Sequence, residues 1–265
     1  MSPPPAQANG PRDWDGATYD RIADPMTRWG ADVLARLPLR GDETVLDAGC
    51  GSGRVTEMLL RRLPRGHVVA LDAAPSMLVE ARRRLASFAD RVTFVEADLL
   101  ALDIDALPGR TPVDAVLSTA TFHWVLNHDR LFANLASVMA PGARVVAQCG
   151  AAGNIAGLLE AVASTGAARA GTWLYATPDD TEARLGRAGF EDIEVWTHLA
   201  PTRFERRDEL ETFLETVCLR AHLADMAPTE RARVLQAVAD AMPEPVIDYV
   251  RLNISACRRV DAARD

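Results

Sequence analysis

Lysine is absent from this chain: all 29 of its Lys-plus-Arg residues are arginine. That excludes the phosphate-loop lysine of Walker-type nucleotide sites, a pyridoxal Schiff base and any lysine nucleophile. Cysteine is scarce. Cys50, Cys149, Cys218 and Cys257 lie far apart with no C-x-x-C pair, so neither a disulfide framework nor a zinc knuckle is suggested. No apolar run approaches the roughly 18–20 residues of a membrane span. The opening stretch, MSPPPAQANGP, has neither the basic region nor the apolar core of a signal peptide, and a cytoplasmic protein is expected. Positive charge is also in deficit: a net charge of −8 argues against a nucleic-acid partner and leaves a small molecule as the expected one. His123 and His128 stand five residues apart with no acid between them, a poor metal spacing, so no metal is expected.

What the chain does hold is one distinctive stretch, VLDAGCGSGRVT at 45–56. An apolar run reaches Asp47, then Gly49, Gly51 and Gly53 alternate before a helix-like run starts at Arg54. This reads as strand, tight turn and helix start. The glycines supply left-handed backbone and leave room for a ligand against the chain. The dinucleotide fingerprint G-x-G-x-x-G is not met, because its third glycine would fall on Arg54 or on Thr56.

Downstream, strands and helices alternate. HVVALD (67–72) reads as the second strand, a helix follows over 75–88, and VTFVEADLL (92–100) is the third strand. VDAVLSTATFHWV (113–125) is the fourth strand, 128–140 a helix and 141–150 the fifth strand. Such alternation implies a parallel sheet with right-handed crossovers, whose ligands bind beyond the carboxyl ends of the strands. Asp72, 19 residues past Gly53, is placed to accept from two ribose hydroxyls.

Ahead of this core, 1–12 reads as a disordered tail, and 13–40 as a helical lid with a proline-initiated helix near Pro25. After the core (41–150), the half from 151 to 265 offers helices over 155–170 and 179–188 and strands at 192–199 and 249–256. Between those strands lies a helical insertion of about 205–245. The whole of 13–265 is expected to form a single domain. Asn154 is expected to cap the helix at 155. Arg251, alternating with Val250 and Leu252, is expected to face away from them.

The D-x-G-x-G-x-G pattern at 47–53 resembles motif I of the class I S-adenosylmethionine (SAM) dependent methyltransferases. Together with WDGATYD (14–20), FHWV (122–125), AGFEDIEVW (188–196) and YVRLNI (249–254), it is similar to the small-molecule branch typified by trans-aconitate methyltransferase. The resemblance implies a seven-stranded Rossmann-like methyltransferase fold with N-terminal helices and the helical insertion between strands six and seven. It implies SAM as cofactor, with Asp47, Gly49, Cys50 and Gly51 in the turn and Asp72, Ala73 and Met77 after strand two. Asp98 and Leu99 follow strand three, and Ser118 and Arg28 complete the set. The acceptor side would fall to Tyr19, Met26, Trp29, His123 and Trp124, the last two also being the catalytic pair. Related isoprenoid-acid enzymes have a glutamine where Met26 stands, and methionine argues for a more apolar pocket.

The chemistry behind these assignments is simple. The acceptor must sit about 3 Å from the methyl carbon, opposite the departing sulfur. A carboxylate, with an ordinary pKa of about 4, is ionised at neutral pH and needs only orientation, for which Trp124 Nε1 and His123 serve. A hydroxyl or amine would need a base, and His123 is the candidate. The expected reaction is O-methylation of a carboxylic acid of trans-aconitate type. The alternatives are O-, N- or C-methylation of a larger apolar metabolite, or a non-catalytic SAM-binding role.

Overall fold

The computed structural model describes residues 24–167, 173–223 and 226–260. In chain order its core runs α1 (Asp24–Ala35), β1 (Thr44–Ala48), α2 (Arg54–Arg62), β2 (His67–Asp72), α3 (Pro75–Arg84), β3 (Val92–Glu96), β4 (Val113–Thr119), α4 (His128–Val138) and β5 (Met139–Gly150). Helices α5 (Ala156–Ser164) and α6 (Pro178–Arg187) lead to β6 (Phe190–Leu199). A two-residue strand β7 (Thr202–Arg203) opens the insertion. There α7 (Arg207–Phe213) runs into a π turn (Leu214–Cys218), followed by α8 (Arg220–Leu223) and α9 (Pro228–Ala241). Strand β8 (Val246–Ile247) pairs back on β7 and closes the insertion, and β9 (Val250–Arg258) returns to the sheet.

The main sheet has seven strands in the order β3-β2-β1-β4-β5-β9-β6. The first five are parallel, and β9 slots antiparallel between β5 and β6. The order in which strands are added reverses at β1, whose neighbours are β2 on one side and β4 on the other. In open α/β sheets this is where ligands bind. Apolar clusters cover both faces: Leu59, Leu60 and Leu63 on one, Phe122, Phe132 and Leu135 on the other, all at or near zero exposure. A third cluster joins the insertion to α5 through Leu158, Phe213, Leu214 and Val238.

Several boundaries differ from the sequence expectation, each for a local reason. The fourth strand stops at Thr119 and not at 125, because Ala120 turns left-handed (φ 56°) and the chain enters a short 3-10 turn over Phe122–Trp124. The third strand ends at Glu96, since Asp98 caps another such turn with its carboxylate on Leu100 N (2.8 Å). Helix α5 stops at Ser164, with Gly166 left-handed (φ 73°) just beyond. The small β7–β8 ladder was not foreseen, being two residues per strand. The N-terminal tail and the first part of the expected lid lie outside the described residues.

Candidate active site

The turn after β1 is clamped to the end of β2: Gly49 N and Cys50 N both donate to Leu71 O (2.8 and 2.9 Å). Gly51 N donates to one oxygen of Asp72 (2.8 Å) and Ala74 N to the other (2.9 Å). These bonds fix the Asp72 carboxylate at the lip of the turn. Burial pushes its pKa up, partly offset by those backbone N–H groups. The glycines divide the work. A side chain at Gly49 would strike Thr121 Oγ1 at 2.2 Å, whereas at Gly51 it would meet nothing within 4 Å. Gly51 therefore faces open space, as a ligand cradle requires.

Beneath the turn Asp47 is buried. Its Oδ2 accepts from Thr56 Oγ1 (2.6 Å), while Oδ1 has no partner among the described residues. Burial raises its pKa to about 7 against the Thr56 hydrogen bond, and the neighbouring Asp72 adds to the rise. An open glycine cradle over a buried acid with one unmatched oxygen suits a cationic ligand group. The sulfonium and ammonium of SAM fit that description. Met77 and Leu99 are buried, and Ala73 and Asp98 half-buried, beyond the ends of β2 and β3. Two assigned residues stand apart. Ser118 is buried and its hydroxyl donates to Ala48 O (2.7 Å), tying β4 to β1 under the turn. Arg28 is exposed on α1 and does not line the cavity described next.

Thr121 covers Gly49 and leads directly into His123 and Trp124, so the cradle passes into a second compartment. This cavity, about 500 Å³ including its mouth, opens beyond β4, β5 and β9 and is roofed in part by Val217 and Cys218 of the π turn. Trp29 from α1 lines it; Met26 falls in the first turn of that helix, and Tyr19 lies outside the described residues. Its walls are aromatic. Trp173 stacks on Tyr175 (centroids 5.8 Å, 13°) and leans on Trp124 (5.7 Å), while Tyr175 stacks on His123 (5.9 Å). The segment is held there by Leu174 N donating to His123 O (2.9 Å).

Arg251 completes the cavity. It is 3% exposed, lies over the Trp29 ring at 4.7 Å, and donates from Nε to Gln148 Oε1 (3.3 Å). Gln148 Nε2 in turn donates to Asn253 Oδ1 (2.9 Å), which also accepts from Arg36 Nη1 (2.8 Å). A polar relay thus runs from outside the sheet to the pocket guanidinium. His123 is buried; desolvation first, then the charge of Arg251, pushes its pKa well below the usual imidazole range. Its Nδ1 accepts from Gly150 N (3.4 Å), so in this tautomer Nε2 carries the hydrogen.

Asn154 does not cap α5. Its Oδ1 accepts from Val250 N (3.1 Å), and Asp248 supplies the acceptor for Gly157 N (2.9 Å). Ile155 precedes α5 in a left-handed conformation, which turns Asn154 away from the helix. Trp173, Tyr175 and Tyr249 were not anticipated. The alternation WLY at 173–175 was the available signal.

A doubly wound sheet with an antiparallel last strand, a glycine cradle at the switch point and an adjoining pocket is the architecture of the class I methyltransferase fold. The methyltransferase-domain family profile matches residues 45–142. The chain is 32% identical to a trans-aconitate 2-methyltransferase of Methylobacterium radiotolerans over 247 residues, covering 87% of this chain and 89% of the relative. It is 40% identical to the enzyme of that name from Methylobacterium nodulans over 136 residues, 51% of this chain and about half (49%) of the relative's length. Among solved structures, phosphoethanolamine N-methyltransferase 2 of Haemonchus contortus, in complex with S-adenosylhomocysteine, superposes with a TM-score of 0.61 at 17% identity. That match covers 92% of this chain and 57% of that one. The [4+2]-cyclase SpnF superposes with a TM-score of 0.58 at 18% identity, covering 96% and 85%. These last two likenesses concern the fold alone. The chain belongs to the SAM-dependent methyltransferase family and is an enzyme of that class, with SAM as its cofactor.

Proposed function

We propose that this enzyme methylates a carboxylate oxygen of a small organic acid. The observation that carries the reading is Arg251, a buried guanidinium set in an aromatic cavity beside the His123–Trp124 turn. A guanidinium offers a planar pair of N–H donors that matches a carboxylate, and burial strengthens the pairing. The trans-aconitate 2-methyltransferases named above are consistent with an acid acceptor.

On this reading Gly49–Gly51, Asp72, Met77, Asp98 and Leu99 hold SAM, and Asp47 faces its cationic end. SAM, when bound, supplies an electrophilic methyl whose C–S bond breaks as the new O–CH₃ bond forms, the electron pair leaving on sulfur. No proton has to move, because the acceptor is already an anion. The role of this chain is therefore to orient and desolvate. Arg251 fixes the carboxylate, Gln148 holds Arg251, and His123, neutral with hydrogen on Nε2, acts as a donor and not as a base.

The test is transfer of labelled methyl from SAM to a panel of acids, phenols and amines. A base-labile methyl ester that disappears in Arg251→Met supports the proposal. A base-stable ether or amine product refutes it.

A further inference from the structure

Arg251 is held by a row of side chains that runs behind the acceptor cavity. Gln148 on β5 and Asn253 on β9 are register partners, 4% and 0% exposed, and neither is among the described lining residues. Arg251 and Asn253 stand two apart on β9 and so share one face of the sheet. Helix α1 meets the row at both ends. Its Trp29 ring lies against the Arg251 guanidinium at 4.7 Å. Arg36, about two turns further along the chain, donates from Nη1 to Asn253 Oδ1 (2.8 Å) and rests over the Trp196 ring at 4.9 Å.

With Arg36 in place the row has one direction. A guanidinium only donates, whereas an amide presents either its oxygen or its NH₂ by turning about its last bond. Arg36 therefore requires Asn253 Oδ1 on its side. That oxygen also accepts from Gln148 Nε2 (2.9 Å), which leaves Gln148 Oε1 for Arg251 Nε (3.3 Å). Without a donor at position 36 the row can turn over. Asn253 Nδ2 would then serve Gln148 Oε1, and Gln148 Nε2 would face Arg251, donor against donor. The other neighbours of Asn253 Nδ2 resist this weakly. His198 Nδ1, at 2.9 Å, accepts in one tautomer and donates in the other, while Trp196 O and Arg251 O are each at 3.4 Å, long for such a bond.

We propose that Arg36 is a positioning residue for acceptor binding. It sets the direction of the Asn253 and Gln148 amides, so that Gln148 offers Arg251 an oxygen and fixes the guanidinium beside the cavity. The inference rests on Arg251 as the carboxylate anchor and extends the acceptor machinery to a residue outside the described cavity lining. It also ties acceptor affinity to the seating of α1, which gives Trp29 to the cavity and Arg36 to the row.

The experiment is a calorimetric titration of trans-aconitate, and of hexanoate as a simple monoacid, into protein loaded with S-adenosylhomocysteine. Arg36→Met is expected to weaken both acids about fivefold, with the affinity for S-adenosylhomocysteine unchanged. Arg36→Lys, still a donor, is expected to stay within about twofold of wild type. Arg36→Met added to Gln148→Leu is expected to cost less than about twofold more, because the row is already cut. The same fivefold loss in that background would mean that Arg36 acts through its charge or the fold, and overturns the inference. Unchanged binding in Arg36→Met overturns it too, while leaving carboxylate methylation standing. Wild-type affinity in Arg251→Met, or binding of neither acid to the wild type, overturns both. Should the melting curve show Arg36→Met unfolded, Arg36→Gln, free to donate or accept, takes its place in the same comparison.

Discussion

Replacing Asp47 by asparagine removes a charge that the fold holds at a cost. In the folded chain its pKa lies at about 7, against an ordinary value of 3.8. Between those two values the folded state keeps a proton that the unfolded chain has released. Stability therefore falls as pH rises through this window, and the full penalty is reached above the folded pKa. A shift of this size corresponds to about 4 kcal/mol, of which about 3 kcal/mol develops between about pH 5 and about pH 8. Asparagine keeps the shape and a partner for Thr56 Oγ1 but does not titrate. The assay is urea unfolding of both proteins across that range, without SAM. Asp47→Asn is expected to gain on the wild type by about 3 kcal/mol from about pH 5 to about pH 8, while its affinity for SAM falls. A difference that stays flat with pH would mean that Oδ1 is satisfied and the acid titrates normally, and the cation-seeking view of the turn would be wrong.

Four further outcomes follow from the same geometry. Gly49→Ala, whose Cβ would lie 2.2 Å from Thr121 Oγ1 at φ 86°, should lose about 2–4 kcal/mol of stability by thermal melting. Gly51→Val, with open space around it, should melt within about 2 kcal/mol of wild type yet lose S-adenosylhomocysteine binding by calorimetry. Gln148→Leu should raise KM for the acid about tenfold with little change in kcat, because Arg251 loses the acceptor that aims it. His123→Asn should retain turnover, since the His123 pKa is pushed well below the usual imidazole range; a kcat limb near that range that disappears in His123→Asn would mark His123 as the base.

The sheet was legible because its strands are short apolar runs set between helices of clear period. β2 ran from His67 to Asp72 as read, and the helix after the glycine turn began at Arg54. The cradle was legible for a related reason: few residues other than glycine tolerate three left-handed positions in five. Of the adjoining cavity, Trp29, His123 and Trp124 were among the residues expected, but the rest was not legible. Its walls come from α1, the loop before α6, the π turn and β9, segments as far apart as Trp29 and Arg251, and no local pattern announces that they meet. Arg251 was expected to face away from Val250 and Leu252, but only the pairing of β9 with β5 puts it beside Gln148. Ser118 carries a second bond that no local pattern shows: its hydroxyl ties β4 to β1 through Ala48 O.

The antiparallel strand β9 has a consequence for how the molecule assembles. It sits between β5 and β6, so neither of those strands is finished until residues 250–258 have emerged from the ribosome. The glycine cradle and Asp72 are translated more than 170 residues before Tyr249 and Arg251. On the proposed reading, a nascent chain acquires the residues that hold the methyl donor long before the arginine that holds the acceptor. Until then β5 presents an open edge. Closing that edge and installing the anion anchor are a single folding event, so a chain with its anchor in place is also one whose sheet is sealed.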